Sequence, residues 1–222
     1  MKYIHKNNPP TELIIYRNSA GASYKDMYDN HRDLYELTRL SLAEEQGYIC
    51  CYCGQRITGF QGTQIEHIFA KGTAAYSKMQ LDYETNLLAC CDGGKLEHSC
   101  NPSILTDHFH CDTKKHNDPI PVTPLQKDCQ GKFMFDTNGD ILGVGTDAEA
   151  TIEILNLNSV LLKNKRKAVL NAYIDYPVLD WQAEYDSLFE KDGLGMFKEF
   201  CFVRQMYIEL FHSDKIVVKS CT

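Results

Sequence analysis

The stretch Ile65-Glu66-His67-Ile68-Phe69-Ala70-Lys71 lies between a Cys50-x-x-Cys53 pair and the segment Asn86-Leu87-Leu88. A close cysteine pair, a carboxylate beside a histidine, and an asparagine further on are each common. Their succession within one short region is not, and it marks residues 48–117 as the part of the chain that carries chemistry. Thiolates hold metal ions, an imidazole moves protons near neutral pH, and a carboxylate binds hard divalent cations.

The cysteines point to metal. The chain has 222 residues and ten cysteines, seven of which (Cys50, Cys51, Cys53, Cys90, Cys91, Cys100 and Cys111) crowd one half. The start, Met1-Lys2-Tyr3-Ile4-His5, lacks the apolar core of a signal peptide, and no apolar run approaches the ~18 residues of a membrane span. A cytoplasmic protein without membrane contact is therefore expected, and there reduced thiols serve as metal ligands more often than as disulfides. A tetrahedral structural site takes four ligands, usually as two tight pairs. Cys50 and Cys53 make one pair. Cys51 would leave a single intervening residue and is assigned elsewhere. Cys90, Cys91, Cys100 and Cys111 are the candidates for the second pair, and Cys129, Cys201 and Cys221 stand apart as ordinary thiols.

Hydrophobic residues make up 43% of the chain and aromatic residues 11%, which suits a folded protein and excludes a disordered one. The formal net charge of −7 is unevenly spread: residues 1–117 hold 12 basic against 14 acidic side chains, and residues 118–222 hold 11 against 16. A stand-alone nucleic-acid binder clusters Lys and Arg, so the acidic second half suggests a protein partner instead.

Local patterns divide the chain into an N-terminal segment (1–47), a central core (48–117) and a C-terminal region (118–222). Leu13–Tyr16 reads as a short strand or buried edge after Pro9-Pro10. Apolar residues recur at helical spacing from Tyr24 to Glu45 (Met27, Leu34, Leu37, Leu40, Leu42), with Gly47 as a stop. Tyr48–Ile57 reads as a tight knuckle turning at Gly54, Gln64–Phe69 as a strand, and Ala74–Met79 as helical. The segment after Asn86 is apolar until Cys91, and residues 92–110 read as an irregular insertion. Asn138-Gly139 between two apolar runs predicts a hairpin. Asp147 is a plausible cap for a helix over Ala148–Leu155, Ser159 for a helix to about Tyr173, and a last helix is expected from Met196 to Phe211. That helix gathers Phe197, Phe200, Phe202, Tyr207 and Phe211 for packing.

Within the core, a neutral His67 at a strand end can take a proton from water that attacks a phosphodiester. The adjacent Glu66, pointing the other way, can hold a divalent cation that neutralises charge on the phosphate. Lys71, Lys78, Lys114 and Lys115 are the basic residues best placed to meet phosphate, against the plainer alternative of a solvated face. Lys163–Lys167 forms a second basic cluster that spans much of a helix circumference and reads as an exposed face.

Cys50-x-x-Cys53, Glu66-His67-Ile68, Asn86-Leu87 and Cys111-Asp112-Thr113-Lys114-Lys115 together resemble the HNH endonuclease motif. The resemblance implies a ββα-metal core in an α+β protein, with His67 as general base and Asn86 orienting the histidine or its loop. It implies Cys50, Cys53, Cys91 and Cys111 as the structural zinc set, and Glu66 with Asp112 holding a catalytic Mg²⁺ or Mn²⁺. Asp112 stands where the family usually has Asn or His, with His110 and His116 as neighbouring alternatives, and Cys100-Asn101 is a competing closing pair.

Further blocks, namely Met1-Lys2-Tyr3-Ile4, Ile65–Lys71, His110–Lys115 and Ile154-Leu155-Asn156-Leu157-Asn158, are similar to the HNH nuclease component of Septu-type antiphage systems. Such nucleases also occur beside retrons. That likeness spans the chain to about residue 175 and implies DNA as substrate, an ATPase partner, and in retrons a reverse transcriptase with its DNA. The alternatives from other classes are a zinc-stabilised, non-catalytic interaction subunit and a nuclease acting on RNA or tRNA.

Overall fold

A computed structural model describes residues 1–218 apart from 102, 104, 176 and 177, so Cys221 lies outside the described residues. Pro9-Pro10 leads into a helix, not the strand expected at Leu13–Tyr16. Pro10 occupies the cap of α1 (Thr11–Arg17), and the Ile14 N–H donates to its carbonyl at 3.1 Å. A fixed φ and a missing N–H both suit a helix start, and the helix buries Leu13.

The helical spacing between Tyr24 and Glu45 is shared by two helices, α2 (Tyr24–Asn30) and α3 (Arg32–Glu45). Ser23 caps α2 by accepting from the Asp26 N–H at 3.1 Å. At His31 the backbone leaves helical geometry (φ −125°, ψ 56°), and its ring turns to Tyr16 and Asp26. The apolar pattern outlasts the break because Met27, Tyr35 and Leu42 enter one core, while Leu37 faces outward.

Gln46, after α3, joins this layer to the sheet. Its Nε2 donates to the carbonyls of Ile49 (3.0 Å) and Ala89 (2.8 Å), and its Oε1 accepts from the Ala89 N–H at 2.7 Å. A buried side-chain amide thereby does the pairing that another strand would do. The knuckle follows. Ile49 and Arg56 bridge in antiparallel fashion, the Cys50 N–H donates to Gln55 O at 2.9 Å, and the Gly54 N–H donates to Cys50 O at 3.0 Å. Gly54 has φ +77°, and a Cβ there would stand 2.3 Å from the Phe202 ring.

Strands β1 (Thr63–His67) and β2 (Leu87–Cys91) pair antiparallel, with Glu66 opposite Leu88 and His67 opposite Leu87. A 3-10 helix over Ala74–Met79 lies in the connection, as the sequence suggests. The expected irregular insertion after β2 instead contains α4 (Lys95–Cys100) and a 3-10 turn at Thr106–His108, before the short α5 (Asp112–Lys115).

Beyond the core, β3 (Phe133–Phe135) and β4 (Ile141–Gly143) form the predicted hairpin, closed by Gly139 at φ +84°. Helix α6 (Thr146–Ile154) begins before Asp147, which sits in its first turn beside the positive end of the helix and is not its cap. Ser159 does cap α7 (Val160–Asp175), its Oγ accepting from the Leu162 N–H at 3.4 Å. Helix α8 (Trp181–Ser187) has no counterpart in the sequence-based expectations. Helix α9 (Cys201–Phe211) starts later than Met196. Phe200 takes a left-handed conformation (φ 53°), and the N–H groups of Phe197 and Phe200 are drawn to Gly47 O (3.0 Å) and Gly54 O (2.9 Å), so this stretch runs along the knuckle.

The basic cluster on α7 is an exposed face only in part: Asn164 and Lys167 are exposed, and Lys163 and Lys165 are half-exposed. Arg166 is buried, donating to Gly139 O at 2.6 Å and Leu157 O at 2.8 Å, and burial pushes its guanidinium down to about 10. Lys163 pairs with Asp140 and Lys165 with Glu97. One buried apolar cluster runs from Met1 through β2 to Ile208 in a mixed arrangement of helices and small antiparallel sheets. No helix of the described residues is long and apolar enough to cross a membrane.

Gly54→Ala meets both a left-handed backbone and the Phe202 ring, so a loss of about 1–3 kcal/mol is expected. Thermal unfolding checks this against Gly131→Ala, whose added methyl meets nothing and should leave the midpoint nearly unchanged.

Candidate metal centre and acidic site

Three elements that are distant in sequence deliver sulfur to one point. The knuckle brings Cys50 and Cys53, the end of β2 brings Cys91, and the turn into α5 brings Cys111. All four are buried, and their sulfurs lie within 4.8 Å of one another. The Cys50–Cys111 and Cys53–Cys91 separations are each 3.9 Å. Four thiolates about 2.3 Å from a tetrahedral zinc stand about 3.8 Å apart, so these residues fit a structural zinc ion. Cys111 reaches the cluster through a left-handed backbone (φ 56°), with its N–H tied to Leu155 O at 2.9 Å. Cys100 is exposed on α4 and takes no part, and Cys129 and Cys201 are buried elsewhere in the core.

His110 supplies the outer contact. Its Nδ1 faces His108 O at 3.1 Å, so the proton sits there, and its buried Nε2 has no hydrogen-bond partner. Burial lowers its proton affinity, but the Cys91 sulfur beside it outweighs that and raises the imidazole above its usual value. The protonated ring carries a second N–H, on Nε2, which can donate to a ligated sulfur and so support it. Sequence reasoning weighed His110 only as a substitute for Asp112, because nothing in its spacing shows which way the ring points.

The acidic site adjoins the knuckle through Tyr52. Glu66 is 1% exposed, and Tyr52, between Cys51 and Cys53, donates its hydroxyl proton to Glu66 Oε1 at 2.7 Å. Lys115 from α5 pairs with the same oxygen at 2.9 Å and donates to His67 O at 3.0 Å. Both partners use Oε1, so Oε2 is the oxygen that can face Asp112 or a cation. Burial raises the Glu66 carboxyl well above its usual value, its neighbour Asp112 acts in the same direction, and Lys115 opposes them. Lys115 is itself 1% exposed, which corrects its assignment as a phosphate contact: its ammonium is spent on Glu66 and the β1 backbone.

His67 is 6% exposed and packs edge-on against Tyr24, with ring centroids 4.5 Å apart. Its Nε2 meets Gln80 O at 3.1 Å. A carbonyl only accepts, so Nε2 carries the hydrogen and Nδ1 keeps the lone pair. Burial, helped by Lys71, pushes the imidazolium down to about 4, so the ring is neutral near pH 7. Asn86, fully buried, ties the connecting loop down: its Oδ1 accepts from the Phe69 N–H at 2.7 Å, and its Nδ2 donates to Met79 O at 2.8 Å. It thus holds the peptide next to the Gln80 carbonyl that sets the histidine tautomer.

Lys71 lies over the Tyr24 ring at 4.2 Å. Together with Lys95, Lys114, Asp112 and His116 it lines an open groove of about 580 Å³ beside α5. Tyr52, Gln80 and Lys95 escaped the sequence reading, since their parts are set by tertiary contacts. No known family model matches the chain, and no curated protein matches it.

Zinc analysis of the purified protein is expected to find an ion that Cys53→Ser and Cys111→Ser lose and Cys100→Ser keeps, with a lower unfolding temperature for the first two. Asn86→Ala should cost about 1–2 kcal/mol, because it removes the hydrogen bonds of a fully buried amide to the part-buried Phe69 N–H and Met79 carbonyl. Chemical denaturation measures that cost.

Proposed function

We propose that the chain is a metal-dependent endonuclease of the HNH type that hydrolyses DNA phosphodiester bonds. The observation that carries this reading is the closure of α5 over the β1–β2 ribbon, which brings Asp112 and Lys115 to Glu66 next to a neutral histidine. The four-cysteine group gathers the knuckle, the end of β2 and the turn into α5 around the same region. Water attacks the phosphorus after giving a proton to His67 Nδ1, while the Gln80 carbonyl fixes the ring. Glu66 and Asp112 are the carboxylates that would hold a Mg²⁺ or Mn²⁺ ion, whose chemistry is to stabilise charge on the departing 3′ oxygen. Lys71, Lys95 and Lys114 offer the groove its positive charge.

The acidic second half of the chain supports action within a complex, and the Septu-type resemblance names an ATPase as the partner and antiphage defence as the setting. In a retron setting the partner would include a reverse transcriptase and its DNA. A second reading, a non-catalytic subunit stabilised by zinc, draws on the burial of Glu66 and His67, both already engaged by protein groups.

Plasmid cleavage with Mg²⁺ or Mn²⁺ tests the proposal, with the protein alone and with an ATPase subunit. Wild-type protein should cut DNA, and His67→Ala should cut about 10²–10⁴-fold more slowly while keeping its unfolding temperature. An equally active His67→Ala protein contradicts the mechanism. Cleavage of RNA but not DNA changes the substrate, and no cleavage of either supports the non-catalytic reading.

A further inference from the structure

The four-cysteine centre leaves two buried thiols beside it unused. Cys51 comes from the knuckle and Cys90 from β2, and with Cys50 they form a second group whose sulfurs all lie within 4.8 Å of one another. Cys50 Sγ is 3.6 Å from Cys90 Sγ and 3.9 Å from Cys111 Sγ, so one sulfur belongs to both groups. The backbone fixes this arrangement, because the Cys51 N–H donates to Ala89 O at 3.1 Å and holds the knuckle against the strand that carries Cys90. A cavity of about 330 Å³ has Cys50 and Cys51 in its wall, with Lys2, His5 and Lys191 among its other lining residues. Two of the three sulfur residues, Cys50 and Cys51, are thus reached from a space that does not include Glu66, His67 or Asp112 in its wall.

We propose that Cys50, Cys51 and Cys90 hold a second, soft metal ion, monovalent copper, with the Cys50 thiolate bridging it to the ion of the four-cysteine centre. Three sulfurs form a trigonal donor set, which suits a monovalent soft ion better than zinc, whose structural sites take four ligands. Soft thiolates favour Cu(I), and a trigonal ion about 2.25 Å from each sulfur needs separations of about 3.9 Å, close to the Cys50–Cys90 distance. Binding balances simply. Cys50 is already a thiolate on the first ion, so two thiol protons, from Cys51 and Cys90, leave as the copper arrives, and no electron moves. The proposal is independent of the nuclease reading, since it concerns sulfur ligation alone.

The test is an anaerobic titration of the zinc-loaded full chain with Cu(I) held by a weak competing chelator, followed by metal analysis and sulfur-to-copper charge-transfer absorption. The expected result is one copper per chain with the zinc retained, and at least a tenfold loss of copper affinity in Cys51→Ser and in Cys90→Ser. Both variants keep all four residues of the first centre, so retained zinc shows that they are folded. X-ray absorption of the doubly loaded protein should show three sulfurs around copper and a copper–zinc vector that a non-bridged site lacks. Copper uptake unchanged in both variants, or uptake only in step with zinc loss, overturns the proposal.

Discussion

The convergence of four buried sulfurs from the knuckle, the end of β2 and the turn into α5 is the constraint on which the rest depends. These pieces are short in themselves: the ribbon has two strands and α5 is a single turn. Short elements of that kind are marginal unless something outside local propensity fixes them. A metal ion held by these four cysteines would do so at one point, and its binding energy would become folding energy because the unfolded chain has no such site. Gln46 and the residues 196–200 then secure the knuckle from outside, through Ala89 and Gly54.

The centre is linked to the acidic site by very little chain. Tyr52 lies between two cysteines of the knuckle and donates to Glu66, while Lys115 lies one turn from Cys111 and pairs with the same carboxylate oxygen. Whatever holds the sulfurs therefore also sets the position of Glu66. His67, on the opposite face of the strand, is governed separately by the loop that Asn86 ties down. The two halves of the candidate site thus rest on different supports, one on sulfur and one on an amide network.

Much of this was legible in the sequence where the signal is local. The Cys-x-x-Cys spacing, the turn at Gly54, the strand carrying Glu66-His67 and the Asn-Gly hairpin depend on neighbours in the chain. The four-cysteine set followed from the family resemblance, since spacing alone left Cys90, Cys91 and Cys100 open. What escaped was set by distant contacts. The first helix was misread because Leu-Ile-Ile-Tyr has strand propensity, while Pro10 and the burial of Leu13 select a helix. The start of α9 moved because Phe197 and Phe200 bond to Gly47 and Gly54. Lys115 and Arg166 looked like surface charge, but one is consumed by Glu66 and the other by backbone carbonyls of the hairpin and α7 entry.

Hydrogen exchange of the full chain, metal-loaded and metal-stripped, tests most directly whether the sulfur centre holds the core together. The amides to follow are Cys51 (bonded to Ala89 O), Ile68 (to Asn86 O) and Lys115 (to Cys111 O), with Gly139 in the distant hairpin turn as reference. The account predicts that stripping the metal removes most of the protection at Cys51 and Lys115 and weakens it at Ile68, with a smaller change at Gly139. Equal protection in both forms would mean that packing alone holds knuckle, ribbon and helix together, and would contradict the account.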